Sequence, residues 1–326
     1  MTLLKSYNYT YTATAESTSN PAADVDTIAD AQSVATPFYM SLSGGAATAG
    51  DGDGICQSQS RSGAGAMIIN GADSSQNPVT RLSYVKYTVP RTLAFYSGSD
   101  NSAITLTIKG LGVNGVEQSE EITGPNNTYT VSTNMWTQVT NVYATDTIAS
   151  LLLGDPYGYV DHGSLMRTCS ITSNGNDSGI TFTVKGTDYQ NKAQTETITG
   201  PSSTTVNGSS YFRVVSSVST SNTGTGSISI GWVAGIRVMI NSQLSQLMNW
   251  YTVEGDNSAE AQLSIENGAT SAASGTELLK FNPGNTAGTV NYPNIGGEGI
   301  RFGGSMSFDM PADADLIKEI TFMYSG

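Results

Sequence analysis

Two stretches of alternating residues limit the fold more than anything else in this chain. Residues 103–125, AITLTIKGLGVNGVEQSEEITGP, and 179–201, GITFTVKGTDYQNKAQTETITGP, align without a gap at an offset of 76, with 11 of 23 positions identical. In each, apolar residues alternate with threonine: Ile104, Leu106 and Ile108 with Thr105 and Thr107, and Ile180, Phe182 and Val184 with Thr181 and Thr183. A period of two belongs to a strand with one buried and one wetted face. The Lys-Gly pair reads as the entry to a turn, a polar tip follows, and then a partner strand. Gly124-Pro125 and Gly200-Pro201 end that strand, because proline cannot donate to a ladder. The match runs back through VPRTLAFYSGSDNS (89–102) and LMRTCSITSNGNDS (165–178), pairing Arg91 with Arg167. It runs forward to Trp136 with Phe212, Val139 with Val215 and Val142 with Val218. Each copy is expected to be a small antiparallel β-sandwich, Ig-like, with about six or seven short strands.

A second repeat lies upstream at an offset of 27. DVDTIADAQSVATPFYMSLSG (24–44) matches DGDGICQSQSRSGAGAMIING (51–71), sharing D-x-D-x-I-x-x-x-Q-S and aligning Met40 with Met67. The spacing suggests a capped turn, a short helical turn from Ile28 or Ile55, feeding a short apolar strand. The reading is therefore all-β: tandem small antiparallel β-sandwich domains with an irregular β-rich N-terminal region and a C-terminal β domain. The expected divisions are 1–80, an N-terminal anchoring region; 81–158 and 159–235, the two sandwiches; and 236–326, where GIRFGGSMSFDM and LIKEITFMYSG read as final strands. Helix should occupy less than about a tenth of the chain.

Composition narrows the function. Charged residues are 13% of 326, and the formal net charge is −13 with 14 Lys plus Arg. Such a surface repels phosphate backbones, so no direct nucleic-acid partner is expected. No basic amphipathic stretch and no apolar run of about 20 residues points to a membrane, and MTLLKSYNYTYTATA lacks the apolar segment of a secretory signal. Two cysteines, Cys56 and Cys169, do not make a disulfide scaffold.

The residues that carry chemistry do not converge. His162, the single histidine, follows Asp161, but no nucleophile elbow accompanies it and it cannot anchor zinc alone. Cys169 aligns with Leu93 and Cys56 with Ala29, which reads as small packed side chains. The turns DGDG (51–54), SGSDNS (97–102) and NGNDSG (174–179) carry oxygen ligands, each about three of the six to eight that calcium needs. Asp and Asn also stabilise turns by bonding their own backbone, and that reading is preferred. Glu120 with Glu121, or Glu196, could be nominated as glycosidase carboxylates, but Glu120 and Glu196 are repeat equivalents and a duplicated feature reads as scaffold. No catalytic, cofactor-binding or metal residue is assigned, no cofactor is expected, and the chain is read as not an enzyme.

RTCSITSNGNDSGITFTVKGTDYQNKAQTETITGP (167–201), preceded upstream by DGDGICQSQS, GAMIINGA and VPRTLAFY, resembles a module of tailed-bacteriophage virion proteins. The resemblance covers about residues 50–235; the doubling of both repeats departs from it. It implies a structural protein on the outer surface of a virion, a capsid decoration or cement protein contacting the major capsid protein or other virion proteins. A tail, neck or fibre component with a glycan-binding end is the alternative, and a tailspike-like polysaccharide-degrading enzyme a third. A homo-oligomer, with a trimer as the first guess, follows from particle symmetry. The variable tips, Leu111–Val116 and Thr187–Lys192, are where specific contact is expected.

Overall fold

In the computed structural model, residues 39–40, 42, 47–161, 165–188 and 190–232 are described, together with the backbone of strands at Tyr7–Thr12, Ala29–Ser33 and between 237 and 325. His162 and Tyr189 lie outside the described residues. In chain order the strands are β1 (Tyr7–Thr12), β2 (Ala29–Ser33), β3 (Ala47–Thr48), β4 (Asp51–Arg61), β5 (Gly65–Ala66), β6 (Ser74–Gln76), β7 (Ser83–Asp100), β8 (Thr105–Gly112), β9 (Glu117–Thr123), β10 (Asn126–Ala144) and β11 (Ile148–Asp155). They continue as β12 (Tyr159–Asp161), β13 (Leu165–Ser173), β14 (Thr181–Thr187), β15 (Ala193–Thr199), β16 (Thr205–Phe212), β17 (Val214–Thr220) and β18 (Ser227–Trp232). The chain is all-β, with several antiparallel sheets; among the described residues the one helical turn is a 3-10 turn at Val113–Gly115.

The two hairpins form as their alternation dictates. Thr105–Leu111 pairs with Thr123–Glu117, and Thr181–Thr187 with Thr199–Ala193. Leu106, Ile108 and Ile122 point into one core, Phe182, Val184 and Ile198 into another. In the second unit two sheets, β15-β14-β17-β12-β3 and β2-β18-β13-β16, both contribute to the core around Phe182, Phe212 and Trp232. In the first unit the same positions form one sheet, β4-β11-β7-β10-β8-β9, because β7 and β10 run unbroken. Register shifts mark β10 at Val131/Met135 and Trp136/Gln138. The latter falls where the second unit's chain breaks between β16 and β17, one repeat later. Bulges bend a strand and let it serve both faces of a core.

The shorter repeat finds its explanation here. The two motif copies do not form a region of their own; each completes one unit, and the order is nested. The second copy joins the first unit: Leu151 pairs with Gln59 and Leu153 with Cys56, while Met67 and Ile69 enter its core. The first copy joins the second unit: Ile228 pairs with Gln32 and Ile230 with Ala29, while Met40 and Leu42 enter its core. The equivalence extends to single hydrogen bonds, since Met67 N donates to Val142 O and Met40 N to Val218 O. The expected helical turn at Ile55 is instead the buried middle of strand β4. Three apolar residues in a row there (Ile55, Cys56 and Gly54 before them are all buried) override a capping pattern.

Two glycine positions also take a different role from the sequence reading. Lys109-Gly110 and Lys185-Gly186 are not turn entries but lie inside β8 and β14. A Cβ on Gly110 would lie 1.9 Å from Gln138 O, and one on Gly186 1.8 Å from Val214 O, so glycine permits the strands to touch at a bulge. The Gly-Pro ends follow the same logic, with Gly124 against Asn101 O and Gly200 against Asp177 O. The proline carbonyls then accept from Asn101 N and Asp177 N, both at 2.8 Å.

Beyond the second unit, Arg237–Ile240 pairs with both β13 and Met306–Asp309. Ile317–Ser325 pairs with β1 and with Gln246–Glu254, so the two ends of the sequence share a sheet.

Candidate functional site

The residues nominated for chemistry are dispersed, and most have structural employment. Glu120 accepts from Thr133 N (2.5 Å) and Asn134 N (3.1 Å). Glu196, one repeat later, accepts from Ser209 N (2.5 Å), Ser209 Oγ (3.0 Å) and Ser210 N (3.2 Å). Both carboxylates thus satisfy backbone donors at a bend. Asp100 Oδ1 accepts from Ser102 N and Oγ, and Asn176 Oδ1 from Ser178 N and Oγ, so these acidic turns are closed by their own hydroxyls. Asp177 feels the rise that burial imposes, yet bonds from Ser173 Oγ, Thr225 N and Thr225 Oγ hold its carboxyl below the ordinary range. Cys56 and Cys169 are free thiols in separate cores; burial pushes Cys56 up to about 12 and Cys169 well above its usual value. Among the described residues no three His, Cys, Asp or Glu side chains group as metal ligands.

What the structure does bring together is a junction between the units. The chain crosses between them twice, at Ala49–Gly50 and at Pro156–Gly158, and the crossings pack on each other. A Cβ on Gly50 would lie 2.1 Å from Asp155 O; one on Gly158, where φ is +74°, would lie 2.5 Å from Thr48 O. Beside them the Arg91 guanidinium lies 4.3 Å from the ring centroids of both Tyr87, in the first unit, and Tyr159, in the second. It bonds Asp155 Oδ2 at 3.1 Å, with Asp73 at 4.0 Å. Burial pushes the Asp155 carboxyl up to about 7, against the lowering pull of Arg91 and of the Gly158 N–H. A row of tyrosines continues across the junction: Tyr39–Tyr157 at 5.2 Å, Tyr157–Tyr129 at 5.8 Å and Tyr129–Tyr96 at 4.8 Å. None of this was nominated from sequence. The one signal available was Arg91 standing in the stretch VPRTLAFY (89–96), whose other residues are apolar or carry hydroxyls.

The two hairpin tips differ as their sequences do. The first closes with Gly112 N on Val116 O, places Asn114 and Gly115 at φ +70°, and leaves Val116 exposed. The second is tied down, with Asp188 Oδ1 accepting from Gln190 N and Lys192 N, and Arg213 Nη1 donating to Asn191 Oδ1 at 2.7 Å. An open groove of about 630 Å³ lies at the base of the first, lined by Lys109, Leu111, Glu117, Gln118, Gln138 and Thr140 among others. Mixed polar side chains on a shallow sheet face can bind another protein surface.

No family model matches this chain, and no curated protein matches it. Among solved structures, a chain of Sulfolobus turreted icosahedral virus is similar over 82% of this chain and 90% of that chain, at 10% identity and a TM-score of 0.16. A score that low carries no argument about fold or function.

Proposed function

We propose that this chain is a structural protein of a tailed-bacteriophage virion, most specifically an outer-surface decoration or cement protein of the capsid built on tandem Ig-like sandwiches. The single observation that carries the reading is the nested double repeat. Two small all-β units, each completed by its own copy of the shorter motif, are fastened through two chain crossings and the Arg91 guanidinium, which lies over Tyr159 of the second unit. Such a stiff, mostly uncharged module suits a part that must endure outside a cell. The resemblance of residues 50–235 to phage virion modules supports the same class. The reading as a non-enzyme is supported by the use of Glu120 and Glu196 as backbone clamps.

Copy number on purified particles tests the proposal. Hundreds of copies per virion, with release of the protein lowering the temperature at which heads burst, is the expected result. A handful or a few dozen copies would move it to the tail, neck or fibre. Absence from particles, or release of sugar from host capsule by the purified protein, would overturn it.

A further inference from the structure

Asp155 and Pro156 form the single Asp-Pro pair of the chain, at the crossing from the first unit back to the second. Asp155 is also an acid that the repeat does not duplicate. Leu151 and Leu153 pair with Gln59 and Cys56 as Ile228 and Ile230 pair with Gln32 and Ala29, so two residues further on Trp232 stands in the place of Asp155. Glu120 and Glu196 clamp backbone in both copies, whereas Asp155 has no twin.

The residue is 1% exposed, and both carboxyl oxygens are held: Gly158 N donates to Oδ1 and Arg91 Nη1 to Oδ2, each at 3.1 Å. The peptide bond to Pro156 is enclosed as well, since a Cβ on Gly50 would lie 2.1 Å from Asp155 O and 2.6 Å from the Pro156 carbonyl carbon. Around the carboxyl stand Arg91, Asp73 at 4.0 Å from that guanidinium, Tyr87 and Tyr159 against its two faces, and Asp51 paired across from β4.

We infer that the folded chain cuts itself between Asp155 and Pro156. A carboxyl oxygen of Asp155 bonds to the residue's own backbone carbonyl carbon, closing a five-membered anhydride. The C–N bond to Pro156 breaks, and the carboxyl proton passes to the proline nitrogen. Water then opens the anhydride, leaving Asp155 with an α-carboxylate beside its restored side chain. Nucleophile and carbonyl share one residue, so no further group has to approach, and the nitrogen that leaves belongs to a tertiary amide. Burial outweighs the pull of Arg91 and of the Gly158 N–H and keeps this carboxyl protonated up to about pH 7, whereas an unfolded chain ionises it above about pH 4. The folded junction therefore holds the proton that the nitrogen needs at a pH where the unfolded chain has lost it. After the cut, residues 1–155 and 156–326 stay interleaved, because β2 pairs with β18 and β3 with β12. One covalent crossing, at Ala49–Gly50, then joins the units in place of two, which loosens the junction without parting the pieces. This inference stands apart from the virion reading and uses none of it.

The test follows the intact mass of the whole purified protein held at neutral and mildly acidic pH, with samples opened in neutral denaturant so that neither acid nor heat breaks the bond. Two fragments, 1–155 and 156–326, summing to the chain plus one water, are expected. They should form at least about tenfold faster at pH of about 6 than in protein unfolded in urea at the same pH, and more slowly as pH rises through about 7. Pro156→Ala and Asp155→Asn should each slow the cut at least about tenfold, and Asp155→Asn keeps the shape of the side chain so that the fold is retained. A chain that stays whole throughout, equal rates in folded and unfolded protein, or fragments forming as fast in Asp155→Asn overturns the inference.

Discussion

At the scale of residues, glycine is used where a strand or turn must touch a neighbour's backbone, and the consequences are specific. Gly124 and Gly200 face a carbonyl oxygen at 2.2 Å from any added Cβ, and backbone cannot swing aside as a side chain can. Gly124→Ala and Gly200→Ala should each lower stability by about 1–3 kcal/mol in denaturant unfolding. Gly98 has open space around it and no positive φ, so Gly98→Ala should be neutral or stabilising by up to about 1 kcal/mol. Asp155 offers a pH signature. Its folded pKa of about 7 lies above the unfolded value near 4, so over that window the folded state holds a proton that the unfolded state lacks. Stability contributed by this group is full below about pH 4 and falls as pH rises towards 7. Thermal melts from pH 4 to 8 should show that decline, and Asp155→Asn should flatten it. Loss of the slope in Asp177→Asn instead would assign it to the wrong carboxyl.

At the scale of elements, the carboxylates test whether the duplicated glutamates are scaffold. Glu120→Ala and Glu196→Ala strip acceptors from two backbone N–H groups each and should cost about 0.5–1.5 kcal/mol, whereas Glu121→Ala, exposed and next in sequence, should stay within about 0.5 kcal/mol. Equal effects at Glu120 and Glu121 would remove the clamp reading. The two hairpins were legible in the sequence because threonine alternation is a local signal and the repeat doubles it. The Lys-Gly step was misread because a glycine before polar residues looks like a turn, and the carbonyl of Gln138 that excludes a Cβ comes from a strand almost thirty residues away in sequence. The D-x-D motif was seen as a repeat but not as part of the units, since partnering is a non-local choice. Nothing in residues 24–44 says that they skip their neighbour and pair with β18. The Arg91 clamp was hidden for the same reason: Tyr87 is close in sequence, but Tyr159 and Asp155 come from the far crossing.

At the scale of the whole molecule, nesting changes how the two units should unfold. A tandem repeat joined by a single linker unfolds as a nearest-neighbour series, each unit with its own stability plus an interface term. Here the interface term is large. Two buried hydroxyl contacts and one exposed lysine contact span the units, together worth about 2–3 kcal/mol. Arg91 adds the loss of a ring from the second unit if that unit opens. The first motif copy runs directly into the second, so pulling β2 and β3 from the second unit strains β4 in the first across two residues, Ala49 and Gly50. A coupling of about 4 kcal/mol would hold the half-unfolded species to roughly one part in a thousand. Amide exchange should therefore report one shared opening free energy for the core strands of both units, β7 and β10 with β13 and β17. Lys185→Ala with Ser216→Val removes two of the spanning contacts without entering either core cluster, and should split that value, with β13 and β17 exchanging at least tenfold faster than β7 and β10. Two separate values in the unaltered protein would mean that the crossings fasten the units in position without coupling their stability.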